Sequence, residues 1–487
     1  MSNFSRTVVK NSMFSLMGQI AIRALSFCFS VFVVRRLGGE SYGQYATVLA
    51  YVSIFAIFSD LGLAAYALRE IAKDPQKTSS FFSNVVALRL ILSFLAVAMA
   101  TGSAILSGRS PELVLGIFVA SCGLFLYAVQ GPLDMLLMAK ERLDYSATFS
   151  VVHQLVFVSL GTIVLIRGDG VIGLIIASLC GVLAMASLSF VVIRRHLGGL
   201  RWQIDPSTWL CLIKAALPFA TIGFALGLSY KVDTVLLQYF RGDAVTGWYN
   251  AAYRLIFMLM PISHAVNVSL YPSMVRQYAI NPDRMVQIYN RALKYMFILT
   301  LPIAVGTTVL GDRIVLFLYS EEFSATILPL RILIWVLPLM FLSELLGNIV
   351  VVHNLENKVV RSVGVGTAVN LLLNLIFIPT FGLEAASVIT VLTEAILVAQ
   401  YLWLLRQEMA SIDRVSAFLK PSLAAAFMGM ATWAFRGWDL LVIVVTAVVI
   451  YLAGVVLLGV VDKKEVRFLR DLLNRREAAV LEERGLN

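Results

Sequence analysis

Of 487 residues, 59% are hydrophobic and 14% charged, with a mean hydropathy of +0.85; soluble domains carry about a quarter charged residues, so a water-soluble globular fold is excluded. The net charge of +10 is not a nucleic-acid signal, because most cations sit in short loops between apolar runs, where they set orientation and touch anionic lipid. The four cysteines (Cys28, Cys122, Cys180 and Cys211) lie in or beside those runs without metal-ligand spacing and read as small core residues.

The apolar runs suit helices crossing a core about 30 Å thick, not the short alternating strands of a barrel. The expected fold class is an all-α integral membrane protein of about fourteen transmembrane helices. The spans fall at roughly 11–34, 43–67, 84–106, 112–137, 148–166, 171–193, 209–237, 246–271, 290–310, 325–351, 361–379, 384–405, 417–435 and 440–460. An even number puts both termini on one side. Most Lys and Arg fall on that side, with Arg35, Arg36, Arg109, Arg241 and Arg313 among the few opposite, so the termini are expected in the cytoplasm of a multi-pass cell-membrane protein. The N-terminus is too polar, and its first apolar run too long, for a cleaved signal peptide.

In chain order, the first span places Ser12, Ser15, Gln19, Arg23, Ser26 and Ser30 on one helical face. Small-residue helix packing accounts for the serines. Arg23 points further, to a cavity lining, since a charge at mid-membrane costs roughly 2.5–3.5 kcal/mol. The turn from Arg35 to Tyr45 is Gly-rich, but it lacks the strand that a phosphate cradle needs and reads as a tight outer turn. Asp60, near the cytoplasmic end of its span, is placed to pair with a neighbouring cation.

The hairpin from Lys231 to Arg254 sets Lys231, Asp233 and Arg254 inside apolar runs. Lys231 and Asp233 are two residues apart, about 200° around a helix, so they do not pair readily with each other. Each needs a partner from elsewhere. Either acids on other helices neutralise the cations to hold the bundle together, or Arg23, Lys231 and Arg254 bind an anionic substrate, with Gln19 and Asn250 as polar neighbours. Asn370 and Asn374 share a helical face, as do Thr390 and Glu394 on the next span. With Asp233 they supply oxygen ligands for a monovalent cation; interhelical hydrogen bonding, worth about 0.6 kcal/mol per bond, is the alternative.

An internal repeat relates two parts of the chain. Gly38-x4-Gly43-x-Tyr45 recurs as Gly242-x4-Gly247-x-Tyr249 with an offset of 204, and Gly170-x-x-Gly173 matches Gly382-x-x-Ala385 with an offset of 212. Parallel six-helix lobes over 1–200 and 201–410 are expected, with a substrate site between them. Two further helices would occupy 411–461. An amphipathic cytoplasmic tail helix would follow at 462–487, with Val466, Leu469 and Leu473 on one face.

Three motifs, in order along these helices, carry a resemblance: Asp60-Leu-Gly-Leu; Val232-Asp-Thr-Val-Leu-Leu-Gln-Tyr-Phe-x-Gly with Gly247-Trp-Tyr-Asn-Ala-Ala-Tyr-Arg254; and Asn370-x3-Asn374 followed by Ile378-Pro-Thr-Phe-Gly-Leu-Glu-Ala-Ala. The chain resembles the polysaccharide biosynthesis family of lipid-linked oligosaccharide flippases, which is similar in fold to multidrug-and-toxin extrusion (MATE) proteins. The resemblance implies alternating-access transport of an undecaprenyl- or dolichyl-diphosphate-linked glycan to the outer leaflet. It further implies coupling to Na+ or H+, contact with membrane lipids and with other glycan-assembly proteins, and a lipid-facing groove formed by the last two helices. In the lipid II flippase, to which the family is likewise similar in fold, a sodium site resembles Asp233, Asn370, Asn374 and Thr390, with neutral Asn374 standing where that site has an acid.

A multidrug exporter of the same superfamily, a glycan polymerase or glycosyltransferase, and a passive scramblase are the competing readings. Against an enzyme, His153, His196, His264 and His353 are scattered without a nucleophile partner, and the outer loop 311–324 offers only Asp312, Glu321 and Glu322. No catalytic constellation is expected.

Overall fold

The computed structural model describes residues 3–140, 142–196, 202–406 and 415–460, with side chains from Ile22 onward. The tail helix expected at 462–487 and the side chain of Gln19 lie outside the described residues. The described chain is helical throughout: α1 Asn3–Asp60, α2 Leu63–Lys73, α3 Thr78–Leu106, α4 Pro111–Ala139, α5 Leu143–Arg167, α6 Gly170–His196, α7 Trp209–Ser229, α8 Val232–Arg241, α9 Asp243–Phe257, α10 Met260–Ile280, α11 Pro282–Leu318, α12 Ile327–Leu333, α13 Val336–Val352, α14 Glu356–Leu404, α15 Lys420–Ala434 and α16 Leu440–Leu457. Within a bilayer this is the open-ended way to satisfy every backbone N–H and C=O internally.

Every expected span falls on helix, but the breaks between helices are distributed differently. Among the described residues nine helices are long and apolar enough to cross a membrane, or eleven if each of two bent pairs is one span. Helices α1 and α14 are each two helices joined without a loop, at Gly38 (φ 73°) and Gly382 (φ 60°). Left-handed backbone of this kind is costly for any residue with a Cβ.

Four spans expected to be continuous are interrupted. The run 209–237 bends by 62° between Pro206–Pro218 and Gly223–Arg241, where Pro218 removes a backbone donor. It opens again ahead of α8, whose N-cap is Lys231. The run 246–271 is interrupted at Met258 and Leu259 between α9 and α10, where Pro261 occupies the first turn of the new helix, but it still forms one apolar span, Asp243–Tyr278. The run 325–351 bends by 42° between Glu321–Leu333 and Val336–Val352. The expected span 43–67 stops at Asp60, because Leu61 and Gly62 both take positive φ.

By contact the chain forms two compact units. The first comprises Met1–Met258, Leu316–Pro329 and Val360–Thr393; the second comprises Leu259–Val315, Leu330–Val359 and Glu394–Asn487. In the first unit the short helix α2 buries Leu63, Ala67 and Ile71, spaced four apart on one face, against Phe82, Leu133, Leu136 and Leu212. A second cluster joins Val48 and Tyr51 of α1 to Ala100, Ile117 and Ile175. In the second unit α15 and α16 pack beside α11 through Leu301, Ala424, Met428, Ala447 and Tyr451. Large apolar side chains such as Phe94, Leu106, Trp433 and Leu457 are exposed, as lipid-facing residues are.

Candidate substrate and cation sites

The repeat motif forms a close helix junction inside the first unit. Gly38 and Gly242 adopt nearly the same conformation, φ 73° with ψ 177° and φ 84° with ψ −178°. Each redirects the chain into a helix, α1 beyond Gly38 and α9 beyond Gly242. Those two helices touch backbone to backbone. A Cβ on Gly43 would lie 1.8 Å from the Asp243 carbonyl oxygen, and one on Gly247 would lie 1.9 Å from that of Gly39. Asp243 stands in the repeat where Gly39 stands, so the two clashes are mirror partners, as an approximate two-fold axis through the junction requires.

Polar side chains lock this junction. Gln44 Nε2 and Gln238 Nε2 donate to the two carboxylate oxygens of Asp243 at 3.0 and 2.8 Å. The Gly39 amide donates to Glu322 at 2.5 Å. Arg35 Nε donates to the Leu318 carbonyl at 2.5 Å, at the end of α11 where carbonyls lack helical partners. Arg109 donates to the Val235 carbonyl at 3.2 Å and lies over the Tyr239 ring at 5.0 Å. Arg241 binds the carbonyls of Ile378 and Thr380 just ahead of the Gly382 turn. Thus Arg35, Arg109 and Arg241, read from the sequence as loop charges, are tied to helix backbone.

Below the junction a buried polar chain gathers four of the expected cation ligands. Asp233, 1% exposed, accepts from the Thr234 amide at 2.7 Å and from the Tyr249 hydroxyl. That hydroxyl also meets Thr390 Oγ1 at 3.2 Å. The chain continues from the Thr390 carbonyl to Thr393 Oγ1 at 3.2 Å, from Thr393 to Asn370 Nδ2 at 3.2 Å, and from Asn370 Oδ1 to Asn374 Nδ2 at 3.0 Å. It ends on Asn374 Oδ1, fully buried and without a hydrogen-bond partner. A buried acceptor left open in this way is the feature a small cation would satisfy. Among the described residues, no group of three or more His, Cys, Asp or Glu is arranged to hold a metal ion, so any cation held here rests on one carboxylate and neutral oxygens.

Asn250 belongs to the same network: it accepts from Thr234 Oγ1 at 3.2 Å. Tyr249 and Thr393 are members that the sequence reading missed. The signal for Tyr249 was its place in the repeat, opposite Tyr45. Glu394 of the second unit is tied to Ser343.

The three candidate substrate cations are differently placed. Arg23 and Arg254 are exposed and Lys231 is half-buried. The break before α8 puts Lys231 at an N-cap, off the regular helix, and within electrostatic reach of both Asp233 and Arg254. The charge of Arg254 reaches Tyr42, Tyr45 and Tyr319. None of the three forms an ion pair among the described residues.

A cavity of about 830 Å³ opens in the first unit, with Tyr45, Asp60, Arg89, Tyr127 and Asp134 on its wall. Asp60 pairs with Arg89 at 3.3 Å, which supplies the cation the sequence asked for. Arg89 and Asp134 were missed as site residues, although both fall inside expected spans, and a charge within an apolar run was the available signal.

A repeat-related, all-helical bundle with buried charges and a cavity that carries a few charged side chains on a mostly apolar wall is the build of a multi-pass membrane transporter. The chain belongs to the polysaccharide biosynthesis protein family, whose sequence model matches residues 8–277; the MatE model matches 218–376. It is 21% identical over 380 residues to the Haloferax volcanii protein described as a probable low-salt glycan biosynthesis flippase, Agl15, covering 76% of this chain and 78% of that one. In fold it is similar to a lipid II flippase, MurJ, in an inward closed conformation, with TM-score 0.77, 16% identity, and coverage of 95% of this chain and 100% of that one. It is also similar to a multidrug resistance MATE family transporter in an inward-facing conformation, with TM-score 0.64, 16% identity, and coverage of 80% and 95%.

Proposed function

We propose that this protein is a flippase that carries a polyprenyl-diphosphate-linked oligosaccharide from the cytoplasmic to the outer leaflet by alternating access, driven by Na+ or H+. The observation that carries the reading is the family membership together with a relative described as a glycan biosynthesis flippase. The lobes that alternate are residues 1–200 and 201–410, with both termini in the cytoplasm of the cell membrane. Helices within 411–461 face lipid and help form the groove for the polyprenyl chain, and other glycan-assembly proteins supply and receive the substrate.

Arg23, Lys231 and Arg254, with Gln19 and Asn250 beside them, bind the diphosphate. Arg23, Lys231 and Arg254 form no close ion pair among the described residues, Asp233 being near Lys231 but hydrogen-bonded to Thr234 and Tyr249, which supports this role over helix-to-helix pairing. Arg offers a planar fork to phosphate oxygens and Lys a mobile point charge, which suits a site that must bind and then release. Asp233, Asn370, Asn374 and Thr390 hold the coupling cation, supported by the unpartnered Asn374 oxygen. A multidrug exporter would instead need acids free to meet organic cations, whereas Asp233 is hydrogen-bonded inside the protein and the two acids on the cavity wall are engaged, Asp60 by Arg89 and Asp134 by the Ser146 hydroxyl.

Cells lacking the gene test the function. Their lipid extracts should accumulate one inward-facing lipid-linked oligosaccharide, cleared on complementation. Arg23→Ala and Arg254→Ala are expected at normal membrane abundance yet unable to clear it. Full complementation by both would reassign these cations to packing.

A further inference from the structure

An ionisable side chain inside a span needs a reason, because lipid gives it no partner. Helices α10 and α13, packed side by side within the second unit, carry an ionisable pair. His264 Nδ1 lies 3.0 Å from Glu344 Oε1, and Ser263 Oγ donates to Glu344 Oε2 at 2.5 Å. Asn267, one turn further along α10, donates to the Ser263 carbonyl and Oγ at 3.0 and 3.2 Å and accepts from Asn348 at 3.3 Å. Ser263 and Asn267 are buried, whereas the His264 side chain is 74% exposed. Glu344 stands about two turns inside the Val352 end of α13. The imidazole is therefore exposed at membrane depth, a position suited to a face that water reaches and not to lipid.

The surrounding ionisable groups approach from elsewhere. Helix α13 carries no other, and on α10 the remaining ones, Tyr271, Arg276 and Tyr278, lie about two turns or more beyond His264. Glu394 meets α13 through the Ser343 hydroxyl, and Tyr401 lies beside Gly347. His353, just past α13, packs its ring on Tyr278 at 4.7 Å with Nδ1 2.8 Å from the Ile349 carbonyl.

Histidine is the side chain whose ordinary charge change falls near neutral pH. An ionised carboxylate only accepts hydrogen bonds, so Nδ1 carries the hydrogen that faces Glu344. The second ring proton then comes and goes at Nε2, on the far side of the ring, and the bond to Glu344 persists in both states. With that proton bound, imidazolium and carboxylate sum to zero. Without it the pair carries one negative charge, still held by the Ser263 hydroxyl and the Nδ1 hydrogen. The pair thus changes charge without repacking α10 against α13, and a change of charge at this depth is what the bilayer resists.

We propose that His264, held by Glu344 and Ser263, is a proton-binding site of the second unit that makes transport respond to H+, a residue set distinct from the Asp233 network of the first unit. The inference deepens the flippase reading and rests on it for the cargo.

Two measurements on the full chain test it. In proteoliposomes without Na+, wild-type flipping of the lipid-linked oligosaccharide extracted from cells lacking the gene should follow an imposed pH gradient. His264→Gln and Glu344→Gln should lose that dependence, and His353→Gln, at the end of the same helix pair, should keep it. A pair that only holds α10 to α13 would instead lower the rate and the melting midpoint with the pH dependence intact. In nanodiscs, the nitrogen NMR signals of His264, assigned by single histidine replacements, should pass from imidazolium to neutral imidazole over the pH interval in which flipping responds, with the Nδ1 hydrogen kept throughout. A ring that holds one charge state across that interval overturns the proposal, as does full H+ dependence in both variants or a wild type indifferent to the pH gradient but driven by Na+. Those results leave the flippase reading standing. A wild type that moves no lipid under any gradient defeats that reading, and the H+ coupling with it.

Discussion

Replacing Gly43 by alanine tests whether the two repeat-related turns really meet at the backbone. The added Cβ would start 1.8 Å from the Asp243 carbonyl oxygen and 2.9 Å from the Gly247 amide nitrogen; real Cβ atoms essentially never come nearer than 3.0 Å. The helices must therefore part by at least 1.2 Å, and both atoms in the way are backbone, which cannot rotate aside. Overpacking of this kind costs roughly 1–3 kcal/mol, and the partners at risk include the hydrogen bonds from Gln44 and Gln238 to Asp243. Gly364 is the internal control, because a Cβ there meets nothing within 4 Å. In mid-helix, alanine in its place should stabilise by roughly 0.5–1 kcal/mol. Thermal unfolding of the purified protein in detergent should lower the midpoint for Gly43→Ala and hold or raise it for Gly364→Ala. Gly247→Ala should match Gly43→Ala, and the double variant should lose less than the sum, since one separation relieves both clashes. Equal midpoints for Gly43→Ala and Gly364→Ala would refute the junction.

Gly38→Ala and Gly242→Ala should each cost roughly 1–3 kcal/mol, because positive φ with ψ near 180° is open essentially to glycine alone, seen as a lower melting midpoint. Asp233→Asn should weaken the Na+ or H+ dependence of lipid flipping in proteoliposomes; unchanged dependence on both ions would remove Asp233 from the cation site. Tyr249→Phe should perturb the same dependence to a smaller degree, because it deletes a donor to Asp233 and the link to Thr390, at a cost of order 1 kcal/mol. Removing Na+ and clamping pH on both sides should stop wild-type flipping, whereas a passive scramblase would continue.

The chain itself determined the helical membrane fold and the position of nearly every span. Bilayer thickness turns hydropathy into length, and no tertiary contact is needed to read that. The repeat motif was legible too, and it foretold geometry: Gly38 and Gly242 share one backbone conformation, each at a turn between two helical segments. Breaks at Lys231, Met258 and Leu61 were not legible, since apolar composition continues through them and only backbone geometry marks where the helix stops. Nor was the alliance of Asp233 with Tyr249, Thr390 and the Asn370–Asn374 pair. These residues were separately visible as polar positions in apolar runs, but the sequence distance between Tyr249 and Thr390 is closed by packing alone. The Asp60–Arg89 pair and the cavity around it were decided the same way. A charge in an apolar run announces that it needs a partner, and only the tertiary structure says which helix provides it.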